Sequence, residues 1–227
     1  MSEAPATTAS PPPVWPMLRA MVGVGLLCGL LIVSVFLGTR PTIERKRAEA
    51  LERAIFEMLP GASTHRTFRW AGESRFEVGE EVAAGQPRVH AAYDAERRLV
   101  GLAVEAEGMG YQDVIQLLYG YSFDADAIIG IRVLASRETP GLGDKIETDS
   151  AFLRNFERLD VALDAGGERI AHPIEAVKHG EKQHPWQVDG ITGATISSVA
   201  IANILRQSSE HWVPRFRRSE AAFRSVE

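Results

Sequence analysis

One long apolar run and a series of short alternating ones organise this chain. From Ala20 to Gly38 nineteen residues carry no charge and are dense in Val, Leu, Ile and Phe. As a helix rising ~1.5 Å per residue the run reaches roughly 28 Å, close to the hydrocarbon thickness of a bilayer. Trp15 stands where an interfacial aromatic belongs. A cleaved secretory signal is the competing reading. The apolar core is longer than the usual ~7–15 residues and the small-residue cleavage pattern is poor, so a retained single-pass anchor over 17–39 is expected. Ahead of it, residues 1–16 are rich in Ala, Thr, Ser and Pro and read as a disordered tail.

Beyond the anchor, Ile43, Arg47, Ala50, Leu51, Ala54, Ile55, Met58 and Leu59 recur at three and four. That spacing predicts an amphipathic juxtamembrane helix over 40–61, broken from the membrane helix near Pro41 and stopped by Pro60-Gly61. Strands are expected at 66–70, 88–93, 99–106, 114–118 and 128–135, with Asp124-Ala125-Asp126 as a turn. Phe152 and Phe156, one turn apart, suggest a short helix over 150–157, and a further helix is expected through 199–205. No internal repeat is present. Strands in a run with helices at the ends predict an α+β domain around a mainly antiparallel twisted sheet, over 62–208, with 209–227 as a C-terminal tail.

Composition narrows the chemistry. Apart from Arg19, Arg40 and Glu3, the chain holds 23 Lys and Arg against 29 Asp and Glu, an acidic balance that argues against nucleic acid as the main partner. Cys28, inside the apolar run, is the one cysteine. It excludes intrachain disulfides, Cys-ligated zinc and Cys-bound iron–sulfur clusters. His172, His179 and His184 match no zinc spacing and read as solvated loop histidines, so no metal site is expected.

Asp189-Gly190-Ile191-Thr192-Gly193-Ala194-Thr195 carries the most specific signal. An Asp-Gly turn leads into an apolar-periodic run at Ile196, Val199, Ala200 and Ile204, which suits one face of a helix. Thr192 is then the expected N-cap, with Thr195 in the first turn. A hydroxyl there meets unpaired backbone N–H groups and the positive end of the helix dipole, a site for phosphate. Gly193 and Ala194 leave room for a bulky ligand. No Gly-Lys-Ser/Thr order or Gly-x-Ser-x-Gly setting is present, so neither a P-loop nor a nucleophile elbow is read here.

The same residues resemble the flavinylation motif of the FMN-binding domain found in the G subunit of Rnf electron-transport complexes. The homologous C subunit of the sodium-translocating NADH:quinone oxidoreductase carries a similar motif. Glu138-Thr139-Pro140-Gly141-Leu142-Gly143 resembles the Glu-Thr-Pro-Gly-Leu-Gly loop that lies by the flavin in that family. The resemblance implies FMN linked through its phosphate to Thr195 by a flavin transferase, with Asp189 in the sequence the transferase recognises. It also implies an isoalloxazine lying against Gly141 and Gly143, with apolar contact from Leu142 and polar groups from Glu138 and Thr139. Gly110-Tyr111-Gln112 resembles a further glycine–aromatic turn of the family, where Tyr111 is available to stack on the ring or to serve as a half-buried structural residue. Ser136 stands where many members have histidine.

By the same resemblance, the chain is expected to be an electron-carrying part of a membrane complex rather than a complete enzyme, partnered by the other subunits and the flavin transferase. Family members hold this domain on the periplasmic face of the bacterial inner membrane. The charge flanks point the other way, with Arg19 before the span and Arg40, Arg45, Lys46 and Arg47 after it. Two alternatives stay open: a membrane-anchored flavoprotein of a different redox system, and a non-redox module that binds phosphate without a covalent bond.

Overall fold

The computed structural model describes residues 14–72, 75–79 and 86–225. The expected tail therefore lies outside the described residues as far as residue 13. Contacts divide the chain into a first unit ending at Ala50 and a compact second unit, Leu51–Glu227.

Helix α1 spans Val14–Met58. It already includes Val14 to Pro16, and it is long and apolar enough to cross a membrane. The break expected near Pro41 is absent, because Pro41 lies inside α1. Proline removes one backbone donor and crowds the preceding turn. The turn before it is closed by Thr39, whose hydroxyl donates to the carbonyls of Val35 at 2.8 Å and Phe36 at 3.3 Å. The end expected at Pro60-Gly61 is seen. Leu59 N–H still reaches Ile55 O at 2.9 Å, and Gly61 then turns the chain with φ +93°.

The compact unit is built on β1 (Thr64–Trp70), β2 (Phe76–Val78), β3 (Val89–Tyr93), β4 (Leu99–Met109), β5 (Val114–Ser122), β6 (Ala127–Ala135) and, beyond two short helices, β7 (Leu159–Asp160). The helices are α2 (Lys145–Thr148) and α3 (Ser150–Leu153), followed by a 3-10 turn at Arg154–Phe156. Strand order is β2-β1-β3-β4-β5-β6-β7, and every neighbouring pair is antiparallel. Apart from it, β8 (Glu175–Val177) and β9 (Gln187–Asp189) form a parallel pair. A long helix, α4 (Thr195–Arg218), and a short one, α5 (Glu220–Arg224), follow.

Alternation along the strands sorts side chains between two cores. Ala91, Leu102, Val104, Leu117, Tyr119 and Tyr121 face the larger one, shared with α4. Ala92, Ala103 and Leu118 point the other way and meet Ala54, Ile55 and Leu59. The second face is built for close approach. A Cβ on Gly120 would stand 2.9 Å from Met58, so a glycine in mid-strand lets the end of α1 lie on the sheet.

Residues 209–224 are not the expected tail. Trp212, Val213, Phe216 and Phe223 are buried in the larger core. Phe223 packs against Phe68 and Phe76 with ring centroids 5.0 Å apart in each case. Tyr93 donates its hydroxyl to the Phe223 carbonyl at 2.8 Å. Arginines and glutamates between these aromatics give the segment its tail-like look, while its apolar residues keep a helical spacing.

Candidate functional site

The start of α4 differs from the sequence expectation in a way that matters for chemistry. Its N-cap is Ala194, with φ −130° and ψ 32°, and no side chain caps the helix. Thr192 is displaced from that role because Ala194 N–H bonds Ile191 O at 3.0 Å, closing a turn whose corners are Thr192 and Gly193. Gly193 has φ +84°, a conformation that favours glycine. Ser198 fixes the turn from inside: its Oγ accepts from Ile191 N–H at 3.1 Å and donates to Ala194 O at 2.9 Å. Thr192 and Thr195 are both left exposed, Thr195 as the first residue of an uncapped helix.

The predicted apolar face of this helix splits in two. Ala200 and Ile204 are buried, but Ile196 is 58 % exposed and Val199 is also open. Ile196, next to the threonine, and Val199, one turn on, are thus apolar and available rather than part of the core.

Glu138 joins the second motif to this helix. Its carboxylate is buried, 6 % exposed. Oε1 accepts from the backbone N–H groups of Tyr111 at 2.8 Å and Gln112 at 3.1 Å, and Oε2 accepts from the Ser197 hydroxyl at 2.5 Å. Both oxygens are therefore engaged by protein. Ser136 Oγ accepts from Glu138 N–H at 3.2 Å, and Gln112 Nε2 donates to Thr139 Oγ1 at 2.8 Å. From there the loop closes on itself, with Leu142 N–H on Thr139 O at 3.1 Å and Gly141 at φ +77°. Leu142 at its tip is 51 % exposed, and Tyr111 is 60 % exposed.

Asp189 is held from both backbone sides by a residue with no motif of its own. Asn155, buried, donates to Asp189 O at 3.1 Å and accepts from Asp189 N–H at 3.1 Å. Its Oδ1 also accepts from Lys182 Nζ at 3.1 Å. Burial pushes the Lys182 ammonium below its ordinary value, opposed by the Asp189 charge. The Asp189 side chain accepts from Gly180 N–H at 2.7 Å, and its Oδ2 lies 3.6 Å from His179 Nδ1. A cleft of about 210 Å³ opens here, lined by Lys145, Phe152, His179, Asp189, Gly190 and Thr192.

The structure thus draws together Glu138, Thr139, Tyr111 and the first turn of α4, and sets Asp189 with Thr192 along the adjoining cleft. Ser197, Ser198 and Asn155 are the additional residues that hold this arrangement. The two serines were readable as hydroxyls directly after the motif, whereas Asn155 gave no local signal. His172 and His184 are exposed and stack on opposite faces of Trp186, at 4.0 and 4.4 Å. Among the described residues no group of three His, Cys, Asp or Glu side chains comes together as a metal site. A separate groove of about 660 Å³ lies along Arg88, Glu105, Gln116, Gln207 and Trp212 and includes none of the motif residues.

Residues 110–210 match the FMN-binding domain family. The chain is 31 % identical over 197 residues to the G subunit of the ion-translocating oxidoreductase complex of Methanosarcina acetivorans, covering 86 % of this chain and 92 % of that one. To the G subunit of the same complex in Pseudomonas aeruginosa strain UCBPP-PA14 it is 29 % identical over 201 residues, covering 86 % and 84 %. Its fold is like that of the crystal structure of Shewanella oneidensis NqrC, with a TM-score of 0.51 at 21 % identity over 73 % of this chain and 75 % of that one. On extent and identity together, the chain belongs to the family of the G subunit of the ion-translocating oxidoreductase complex.

Proposed function

We propose that this protein is the membrane-anchored electron carrier of an Rnf-type complex, holding FMN through a phosphoester on Thr195 Oγ. The observation that carries the reading is an exposed threonine at the first position of an uncapped helix, beside the loop fastened by Glu138. Free N–H groups and the dipole at a helix start favour a phosphate. Lys145, on the neighbouring cleft with Thr192, adds a cation that would offset its charge.

The residues present fit the rest of the group. Of the two loop glycines expected beside the ring, Gly143 is closed in by Glu138 and Ser197, whereas at Gly141, and at Gly193, a Cβ would stand in open space, so a planar ring can approach the backbone at those two turns. Leu142, Tyr111 and Ile196 offer exposed apolar surface. At about 210 Å³ the cleft is smaller than the ~300–1,000 Å³ that encloses a cofactor-sized ligand, so the ring would lie on an open face. Such a face suits exchange of electrons with neighbouring subunits. When bound, FMN supplies the redox chemistry; the chain's residues tether it, orient it and set its electrostatic surroundings. Attachment would form the Thr195 Oγ–phosphorus bond as the hydroxyl loses its proton and the leaving group on that phosphorus departs from the transferase's flavin donor, so that the chain gains one FMN less one water.

The same reading puts the compact unit on the outer face of the bacterial inner membrane, matured by a flavin transferase and partnered by the other subunits. In-gel fluorescence tests the attachment. Co-expressed with the transferase, wild-type protein should stay fluorescent after denaturation and so should Thr192→Ala, while Thr195→Ala should be dark. Fluorescence retained in Thr195→Ala would place the linkage elsewhere.

A further inference from the structure

We infer that Glu138 is the positioning residue of this site: it fastens the 139–143 loop to the first turn of α4 and so fixes the seat of the flavin ring relative to its phosphate anchor. The inference rests on the flavin reading above. Glu138 does not offer a free polar group to a ligand, since Tyr111 N–H, Gln112 N–H and the Ser197 hydroxyl together engage both carboxylate oxygens. Three segments meet at this one side chain: the turn after β4, the start of α4 and the loop that Glu138 itself begins. Ser197 lies two residues beyond Thr195. One buried carboxylate therefore ties the tether to both exposed elements that would face the ring.

The backbone is shaped around this carboxylate. A Cβ at Gly110 would stand 2.5 Å from Oε1, and one at Gly143 would stand 2.6 Å from Oε2 and 2.8 Å from Ser197 Oγ. Both positions are glycine because the neighbouring segments close directly over the acid. Leu142 and Tyr111, by contrast, are too exposed to pin their own loops by burial. Their placement then depends on hydrogen bonds at the base, and a charged acceptor makes stronger ones than a neutral group. A site is productive when its supporting contacts hold it close to working geometry.

The test uses the full chain in detergent, covalently loaded by co-expression with a flavin transferase. The readouts are FMN emission per attached flavin before and after unfolding in urea, the flavin midpoint potential, and Tm. In the wild type, Tyr111 against the ring should quench emission, which should rise severalfold on unfolding. Glu138→Ala and Ser197→Ala should each lose much of that quench and shift the potential. Ser197→Thr, which keeps the hydroxyl, should restore both. Combining Glu138→Ala with Ser197→Ala should add little to Glu138→Ala alone, since that variant already removes the Ser197 contact. Loaded variants with wild-type emission and potential would overturn the inference. If Glu138→Ala does not fold, the Ser197→Ala and Ser197→Thr pair decides it alone. A wild-type chain that takes up no covalent flavin would instead sink the flavin reading itself.

Discussion

Asn155 shows how much of this site is invisible residue by residue. It sits on a short segment whose pattern advertises only Phe152 and Phe156, yet its amide holds both the N–H and the C=O of Asp189. Replacing it with alanine would leave a buried N–H and C=O without partners, at about 1–3 kcal/mol for each group left unsatisfied. Asn155→Ala should therefore lower the urea midpoint clearly, and so should Asn155→Asp, which sets a carboxylate oxygen against the Phe152 and Asp189 carbonyls where an N–H donor stood. Equal midpoints for wild type and Asn155→Ala would mean that water or a shifted chain replaces the amide. By contrast the 138–143 and 189–195 motifs stand out in the sequence, because each is a run of adjacent residues. Long-range partners such as Asn155 with Asp189, 34 positions apart, leave no spacing to read.

Elements were legible where periodicity persisted. The antiparallel sheet follows from alternating runs at 66–70, 88–93, 99–106, 114–118 and 128–135, and the observed strands lie on all five. What failed was termination. Pro41 was read as a break and Thr192 as a cap on local preference alone; α1 instead runs through Pro41, and the Ala194 N–H bond to Ile191 O displaces Thr192 from the cap. The end of α4 and the short α5 were missed because charged residues masked an apolar stripe. Burial of Phe216 and Phe223 makes a specific prediction. Phe216→Ala should destabilise the compact unit by about 3–5 kcal/mol, since it removes a core aromatic and leaves a cavity. A chain ending at Ser208 should fail to accumulate as folded protein. A truncated chain with wild-type thermal stability would show that α5 and the end of α4 are dispensable.

At the scale of the whole molecule, two histidines contribute to the pH response near neutrality. Burial, and after it the neighbouring His90, lowers the His65 pKa from its ordinary 6.5, with Glu52 pulling the other way. Burial and then Arg215 lower that of His211. Both rings are harder to protonate in the fold than in the unfolded chain, where histidine titrates near its ordinary 6.5. Their contribution is thus fully present above that value and is lost as pH falls through the folded values. Urea midpoints should decline between about pH 7.5 and about pH 5.5, and the double variant His65→Gln, His211→Gln should show a shallower decline. An unchanged slope in that variant would assign the acid sensitivity to other groups. None of this was readable in the sequence, where both residues look like ordinary surface histidines.

One covalent bond decides whether this molecule is an electron carrier of the proposed kind. The direct measurement is the intact mass of the denatured full chain after co-expression with an active flavin transferase, with fragmentation to locate any adduct. It should show one added FMN less one water, carried on the peptide containing Thr195 and absent from Thr195→Ala. An unmodified mass, with the transferase shown to be active on another substrate, would contradict the covalent carrier and leave a phosphate-binding module in its place.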